Sequence, residues 1–160
     1  MTINYIHPNL VEEVKELDKI VFTDRNEYTE DKEVILDRLE VFPEGCYGFF
    51  ENKKLIGYAT SERWSKHHKT NLNEKASKKH DKGGTILYIS VICVHPNTQG
   101  KRVRSELMEK LIALARGLKL KSIYLRTTHA QKFFEKFGFR LIKHFSDENN
   151  VHDTMELILQ

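Results

Sequence analysis

The stretch from Thr85 to Arg116 constrains the fold more than any other part of the chain. Thr85-Ile-Leu-Tyr-Ile-Ser-Val-Ile-Cys-Val-His95 is dense in β-branched and aromatic residues and stops at Pro96, which reads as a strand buried on both faces of a sheet. A short polar loop follows. From Val103 the apolar residues fall at Leu107, Leu111, Leu114 and Leu118, one face of a helix with Gly117 near its end. Strand, loop and helix in this order aim free backbone N–H groups and the positive end of a helix dipole at one point, a place suited to an anion such as a phosphate. An ordinary strand-to-helix connection that binds nothing is the competing reading, and local chemistry leaves both open.

The flanking segments extend this unit. Ile3 to Ile6 forms an opening strand, and His7-Pro8-Asn9 starts a helix with Leu10, Val14, Leu17 and Val21 on one face. Thr29 is the expected cap of a second helix, which carries Ile35, Leu36, Leu39 and Phe42 and must stop at Pro43. Asn52-Lys53 between Gly45–Glu51 and Lys54–Trp64 signals a hairpin. After the central helix, Lys121 to Thr127 is a strand, and strand, crossover helix and strand imply parallel pairing. Ala130, Phe133, Phe134 and Phe137 make a short helix ended by Gly138, and Phe139–Phe145 with Val151–Leu159 makes a last hairpin. The expected order is βααβββαβαββ, an α+β fold on a mixed sheet, with residues 1–160 forming one domain.

Charge and composition narrow the class. An apolar share of 39% over 160 residues is that of a folded chain large enough to bury a core without disulfides. Cys46 and Cys93 lie inside apolar runs and read as buried thiols, which fits a reducing cytosol. No stretch reaches the roughly eighteen apolar residues of a membrane span, and no signal segment opens the chain, so a cytoplasmic protein without a membrane partner is expected. The net charge of +3 comes from Ser65–Lys82, where six lysines face Glu74 and Asp81. Lacking arginines and interleaved aromatics, this segment reads as a solvated, mobile flap rather than a nucleic-acid surface. His67, His68 and His80 within it read as solvent-facing residues, and no metal is expected.

The element order, with Val94-His-Pro-Asn-Thr-Gln-Gly-Lys-Arg-Val-Arg104 after the fourth strand and Ala130-Gln-Lys-Phe-Phe-Glu-Lys-Phe-Gly-Phe139 near the end, resembles the GNAT family of acetyl-CoA-dependent N-acetyltransferases across the whole chain. Phe42-Pro-Glu-Gly-Cys46 and Leu55-Ile-Gly-Tyr58 … Trp64 further resemble a bacterial branch similar to arylalkylamine N-acetyltransferases. The resemblance implies the GNAT acyl-CoA N-acyltransferase fold and acetyl transfer from acetyl-CoA to a primary amine, by direct attack in a ternary complex. A catalytically impaired GNAT-fold binding or regulatory module is the alternative. Relatives often pair, so the resemblance allows a homodimer, while the sequence itself leaves the oligomeric state open.

Cofactor binding is assigned by the same resemblance to Gln99, Gly100, Lys101, Arg102, Val103, Arg104 and Ser105 around the pyrophosphate. Ile92, Cys93 and Val94 would pair with the pantetheine arm, and Thr127 and Phe133 complete the set. A backbone N–H near Cys93, where the fourth strand bulges in the family, would meet the charge developing on the thioester carbonyl. Gln99 matches the family's pattern, whereas Arg102 and Arg104 stand where it has small residues. Those guanidinium groups either turn outward or pair with phosphates, or they fill the groove. Phe134 replaces the tyrosine that protonates the departing thiolate, which implies a slow enzyme, since general acid assistance is worth roughly 10²–10⁴-fold. Tyr88 and Ser90, two apart on one strand face, are the first candidates to move the ammonium proton. Glu62 is a candidate base by its charge alone, against the favoured reading of a solvated edge carboxylate. His95 reads as a cap or surface histidine beside the cofactor loop.

Overall fold

The computed structural model describes residues 1–24, 29–98, 102–148 and 150–160. Its elements are β1 (Thr2–Tyr5), α1 (Val11–Asp24), α2 (Lys32–Val41), β2 (Tyr47–Glu51), β3 (Lys54–Trp64), β4 (Ile86–Val94), α3 (Val103–Gly117), β5 (Ser122–Thr127), α4 (Gln131–Glu135), β6 (Arg140–Ser146) and β7 (Val151–Ile158). This is the order expected from periodicity and turn chemistry. The seven strands form one sheet in the order β1-β2-β3-β4-β5-β7-β6. Every neighbouring pair is antiparallel except β4 and β5, which α3 joins in parallel. The hairpin between β2 and β3 turns through Asn52 and Lys53, both at positive φ (52° and 65°), the conformation of a two-residue primed turn.

Two apolar layers sandwich the sheet. The stripe Val14, Leu17 and Val21 of α1 packs with Ile35 and Leu39 of α2 onto Tyr58, Val91 and Cys93. On the other face Leu107, Met108 and Leu111 of α3 pack onto Leu87, Ile89, Ile123 and Leu125. Each such fully buried aliphatic chain contributes roughly 1.5–3 kcal/mol. Gly57 lets α3 sit this close to β3, because a Cβ there would come within 2.9 Å of Val103 Cγ1.

One irregularity in β4 matters for function. Thr60 of β3 pairs with Val91 while Ser61 pairs with Ile89, so Ser90 is an extra, bulged residue. The extra residue inverts the side-chain alternation. Leu87 and Ile89 face α3, whereas beyond the bulge Val91 and Cys93 face α1 and α2. The bulge thus sits at Ser90, three residues before the position expected from the family.

Two further expectations are corrected. Thr29 does not cap α2. The Glu30 N–H is held by Asp18 Oδ2 at 3.0 Å, the chain stays extended through Asp31 (φ −70°, ψ 147°), and the helix begins at Lys32. The Asp31 carboxylate makes no cap bond because it accepts from Asn73 Nδ2 at 2.9 Å.

Nor is the lysine-rich loop a free flap. Ser77 N donates to Asp37 Oδ2 at 3.0 Å and Asp81 N to Arg63 O at 2.8 Å, while the Glu74 and Thr70 carbonyls accept from Arg38 and Arg126. The loop is fastened because it satisfies buried donors on α2 and β5. Its His80 is likewise structural rather than solvent-facing, since Nδ1 accepts from Arg63 N at 3.1 Å.

Candidate active site

The site begins where two strands part. β4 and β5 pair only from Ile86↔Ser122 to Ile89↔Leu125. Beyond that point β4 keeps β3 and β5 keeps β7, so a wedge opens with Ser90, Val91 and Ile92 on one arm and Arg126 and Thr127 on the other. A cavity of about 480 Å³ fills it, closed by Phe134 of α4, Arg104 of α3 and Arg38 of α2. This volume suits a small organic ligand.

Backbone direction supplies the wedge with donors. The His95 N–H donates to Ile56 O at 2.7 Å, toward β3. By the two-residue alternation of a strand, the Cys93 N–H points the same way and those of Ile92 and Val94 point to the edge that β5 has left. Among the described residues no strand pairs with that edge. The expected donor near Cys93 is therefore a neighbour's amide, not that of Cys93.

Past Val94 the chain makes a 3-10 turn, Pro96–Thr98, held by Thr98 Oγ1 donating to His95 O at 2.7 Å. His95 Nδ1 accepts from Asn97 N at 3.1 Å, so this histidine caps the turn. Gln99, Gly100 and Lys101 lie outside the described residues. Arg102 takes the left-handed conformation (φ 59°, ψ 20°) at the start of α3, which explains why a small residue, glycine above all, suits this position. Its side chain is exposed. The Arg104 guanidinium lies 4.9 Å from the centre of the half-buried Phe133 ring and forms part of the cavity wall. Val103 is buried in the α3 core and Ser105 half-buried behind it.

The three candidate proton carriers do not share one cavity. Ser90 lines the large one, with its hydroxyl 2.7 Å from Thr60 Oγ1 and donating to Thr60 O at 3.1 Å. Tyr88 also lines it, stacked on Trp64 at 4.0 Å, and burial holds its phenol far above the ordinary range.

Glu62 lies opposite Tyr88 on β3 but is only 4% exposed, because β3 is an interior strand of the sheet. It is no edge carboxylate. Its Oε2 accepts the Trp64 indole N–H at 2.9 Å, and burial raises its pKa to about 7, the indole and Arg38 opposing the rise. Glu62 lines a second cavity of about 10 Å³, roughly the room of one water, whose walls include Arg38 and Tyr88. Those two side chains therefore stand between the carboxylate and the larger space.

On the opposite arm Thr127 is buried, and its Oγ1 accepts from Ala130 N at 3.0 Å, shaping the entry to α4. Phe134 is buried in the wall and offers no proton.

Sequence reasoning missed a buried ionic chain beneath the cavity. Arg38 Nη1 pairs with Glu30 Oε1 at 3.1 Å, both residues being almost fully buried. Glu30 is in turn positioned through its backbone by Asp18, which also accepts from the Tyr58 hydroxyl at 3.0 Å and whose pKa burial raises. The signal was present. Asp18 and Arg38 fall inside the stripes Val14–Leu17–Val21 and Ile35–Leu39–Phe42, where a charge marks burial against a partner. Arg126 at the head of β5 was also missed, as was the role of Asn150, whose Oδ1 accepts from Arg126 Nη2 at 2.9 Å.

A mixed sheet that opens between two parallel strands, with unpaired amides on one arm and a helix start at the mouth, defines the acyltransferase class of this fold. The sequence model of the Acetyltransferase (GNAT) family matches residues 11–139, and the chain belongs to that family. Its fold is similar to the loading GNATL domain of CurA from Lyngbya majuscula (TM-score 0.84, 12% identity, 98% of this chain and 96% of that one). It is also similar to Ard1 from Thermoplasma volcanium (TM-score 0.78, 19% identity, 99% and 97%). A third likeness is to Arabidopsis thaliana Naa50 in complex with a bisubstrate analogue, CoA-Ac-MVNAL (TM-score 0.74, 15% identity, 98% and 97%). At these identities the likenesses are of fold. Among curated proteins none matches the sequence significantly. No helix among the described residues is long and apolar enough to cross a membrane.

Proposed function

We propose that residues 1–160 act as one N-acetyltransferase domain that moves an acetyl group from acetyl-CoA to a primary amine by direct attack in a ternary complex. The observation that carries this reading is the wedge after Ile89↔Leu125, where Ile92 lines a cavity of about 480 Å³ and the Ile92 and Val94 amides point to the edge that β5 has left. A pantetheine arm fits there as a surrogate strand along Ile92, Cys93 and Val94, facing Thr127 and Phe133. The amides of Val103, Arg104 and Ser105 at the start of α3, with Gln99, Gly100 and Lys101 before them, suit the diphosphate. Exposed Arg102 leaves that approach open, and Arg104 stands on the wall where it can pair with a phosphate. Bound in this way, the donor supplies an activated thioester carbonyl.

The protein's part is to bring the amine to about 3–3.5 Å from that carbonyl and to take its proton. The Ile92 or Val94 N–H meets the charge developing on the carbonyl oxygen. Tyr88 and Ser90 line the path on which the ammonium proton leaves, and Glu62, near pKa 7, is placed behind Tyr88 to receive it through one water in the smaller cavity. The amine nitrogen then forms its bond to carbon as the carbon–sulfur bond breaks. Because Phe134 cannot protonate the leaving thiolate, that proton comes from solvent, and turnover is slow. The arylalkylamine-like branch is supported by Phe42–Cys46 and Leu55–Trp64 alone, segments that do not line the larger cavity and so leave the amine open.

A thermal-shift titration tests this. Acetyl-CoA at a hundred times its dissociation constant adds about 2.7 kcal/mol of stability, and thiol release on adding an amine reports transfer. No shift at millimolar acetyl-CoA removes the reading, and a shift without turnover of any amine leaves a binding module.

A further inference from the structure

Arg126 brings to the cavity a cation that no carboxylate among the described residues pairs with. It stands on β5 two residues after Tyr124, on the face of the sheet where Trp64 and Tyr88 lie. Nη1 donates to Thr70 O at 3.2 Å and Nη2 to Asn150 Oδ1 at 2.9 Å, both neutral acceptors. A guanidinium has five N–H donors, so three remain for a ligand in a fixed plane. No carboxylate among the described residues pairs with it, and burial pulls its pKa down.

The second cation of that wall is nearly spent. Arg38 gives Nη1 to Glu30 and Nη2 to Glu74 O, while its Nε, in a side chain 5% exposed, has no partner among the described residues. Among the described residues the lining carries Arg38, Arg104 and Arg126, and Glu30 is its one carboxylate. Phe22, Leu72 and Val151 complete it with apolar surface, which strengthens any charge interaction inside. Arg104 belongs to the α3 end, where a diphosphate fits. Arg126 faces the other side, among the loop and helix residues that would surround the acceptor.

We propose that Arg126, with Arg38 behind it, receives a carboxylate carried by a substrate inside the cavity, making the acceptor an amino-acid-type amine. This rests on the acetyltransferase reading above. The same carboxylate chemistry can come from the acyl group of a dicarboxylic acyl-CoA, and separate arms of one experiment tell the two sources apart.

In the first arm acetyl-CoA is the donor and acceptors are matched pairs, 4-aminobutyrate with butylamine and phenylalanine with phenylalaninamide. In the second arm butylamine is the acceptor and the donors are succinyl-CoA and butyryl-CoA. The acid member of the pairs in one arm is expected to be favoured roughly 10–100-fold in kcat/KM, the range of hydrogen bonds to a charged group. The preference should collapse toward one in Arg126→Gln, mainly through KM, and survive in part in Arg126→Lys. Asn150→Asp is a second variant that keeps Arg126 and supplies it with an internal carboxylate, and it too should abolish the preference.

A preference that is absent in both arms, or unchanged in Arg126→Gln and Asn150→Asp, overturns the inference while turnover of neutral amines leaves the acetyltransferase reading standing. If no amine is turned over, that reading falls and binding decides the inference. N-acetylphenylalanine should then bind the wild type more tightly than its amide and lose this advantage in the variants, and equal binding overturns it.

Discussion

The indole N–H of Trp64 reaches the Oε2 of Glu62 at 2.9 Å, joining two residues on one face of β3 beneath the stacked ring of Tyr88. The bond holds the carboxylate in one orientation while burial raises its pKa from 4.5 to about 7. Between those values the folded protein holds the Glu62 proton more firmly than the unfolded chain does. Stability therefore falls as pH rises from 4.5 to 7, by about 3 kcal/mol in all. Glu62→Gln keeps an acceptor for the indole and removes the titration. Its melting temperature should match the wild type near pH 4 and exceed it by several degrees at pH 8, and kcat should drop roughly 10²–10⁴-fold. A wild-type rate profile with no acidic limb near pH 7 would remove Glu62 from the proton path.

Breaking the pair Arg38–Glu30 should be severe. Both side chains are almost fully buried, so Arg38→Met leaves the Glu30 carboxylate without its counter-ion. The expected loss is about 3–5 kcal/mol in urea unfolding. Pairing it with Glu30→Gln should recover most of that loss, because no charge is then stranded. A double variant as unstable as the single one would show that the pair matters for packing rather than charge.

Arg102 holds a backbone conformation that suits glycine. Arg102→Gly relieves the left-handed strain but frees the unfolded chain, so stability should change by less than about 1 kcal/mol. Acetyl-CoA should bind more tightly, since its diphosphate can then approach the amides directly. Calorimetric titration reads this, and weaker binding would mean that the Arg102 charge outweighs access.

Phe134 is buried in the cavity wall at the position where relatives carry a tyrosine. Phe134→Tyr adds a phenol to that wall, which in the proposed mechanism can protonate the departing thiolate. The expected gain is about tenfold or more in kcat with KM little changed. No gain would mean that thiolate departure is not limiting.

Much of this fold was legible because local rules carried it. Periodic stripes placed α1, α2 and α3, the Asn52-Lys53 turn placed the hairpin, and the strand-loop-helix unit after Thr85 required a parallel neighbour. Arg102 and Arg104 stood out as departures before their geometry was known. What escaped notice depends on neighbours distant in the chain. Thr29 looked like a cap because nothing nearby reveals that Asp18 holds the Glu30 amide. The lysine-rich loop looked mobile because its anchors, Asp37, Arg38, Arg63 and Arg126, lie on α2, β3 and β5.

The amino-acid order alone determined the element sequence, the apolar faces and the family pattern, since each follows from contacts within a few residues. Only tertiary structure decided that Ser90 is an extra residue, that β4 and β5 part beyond Ile89↔Leu125, that Glu62 is buried and that Arg126 faces the cavity, paired with no carboxylate among the described residues. The physical reason is that register and burial belong to pairs of strands and layers. A one-residue bulge reverses every side chain beyond it, and no local propensity announces which partner a charge will meet.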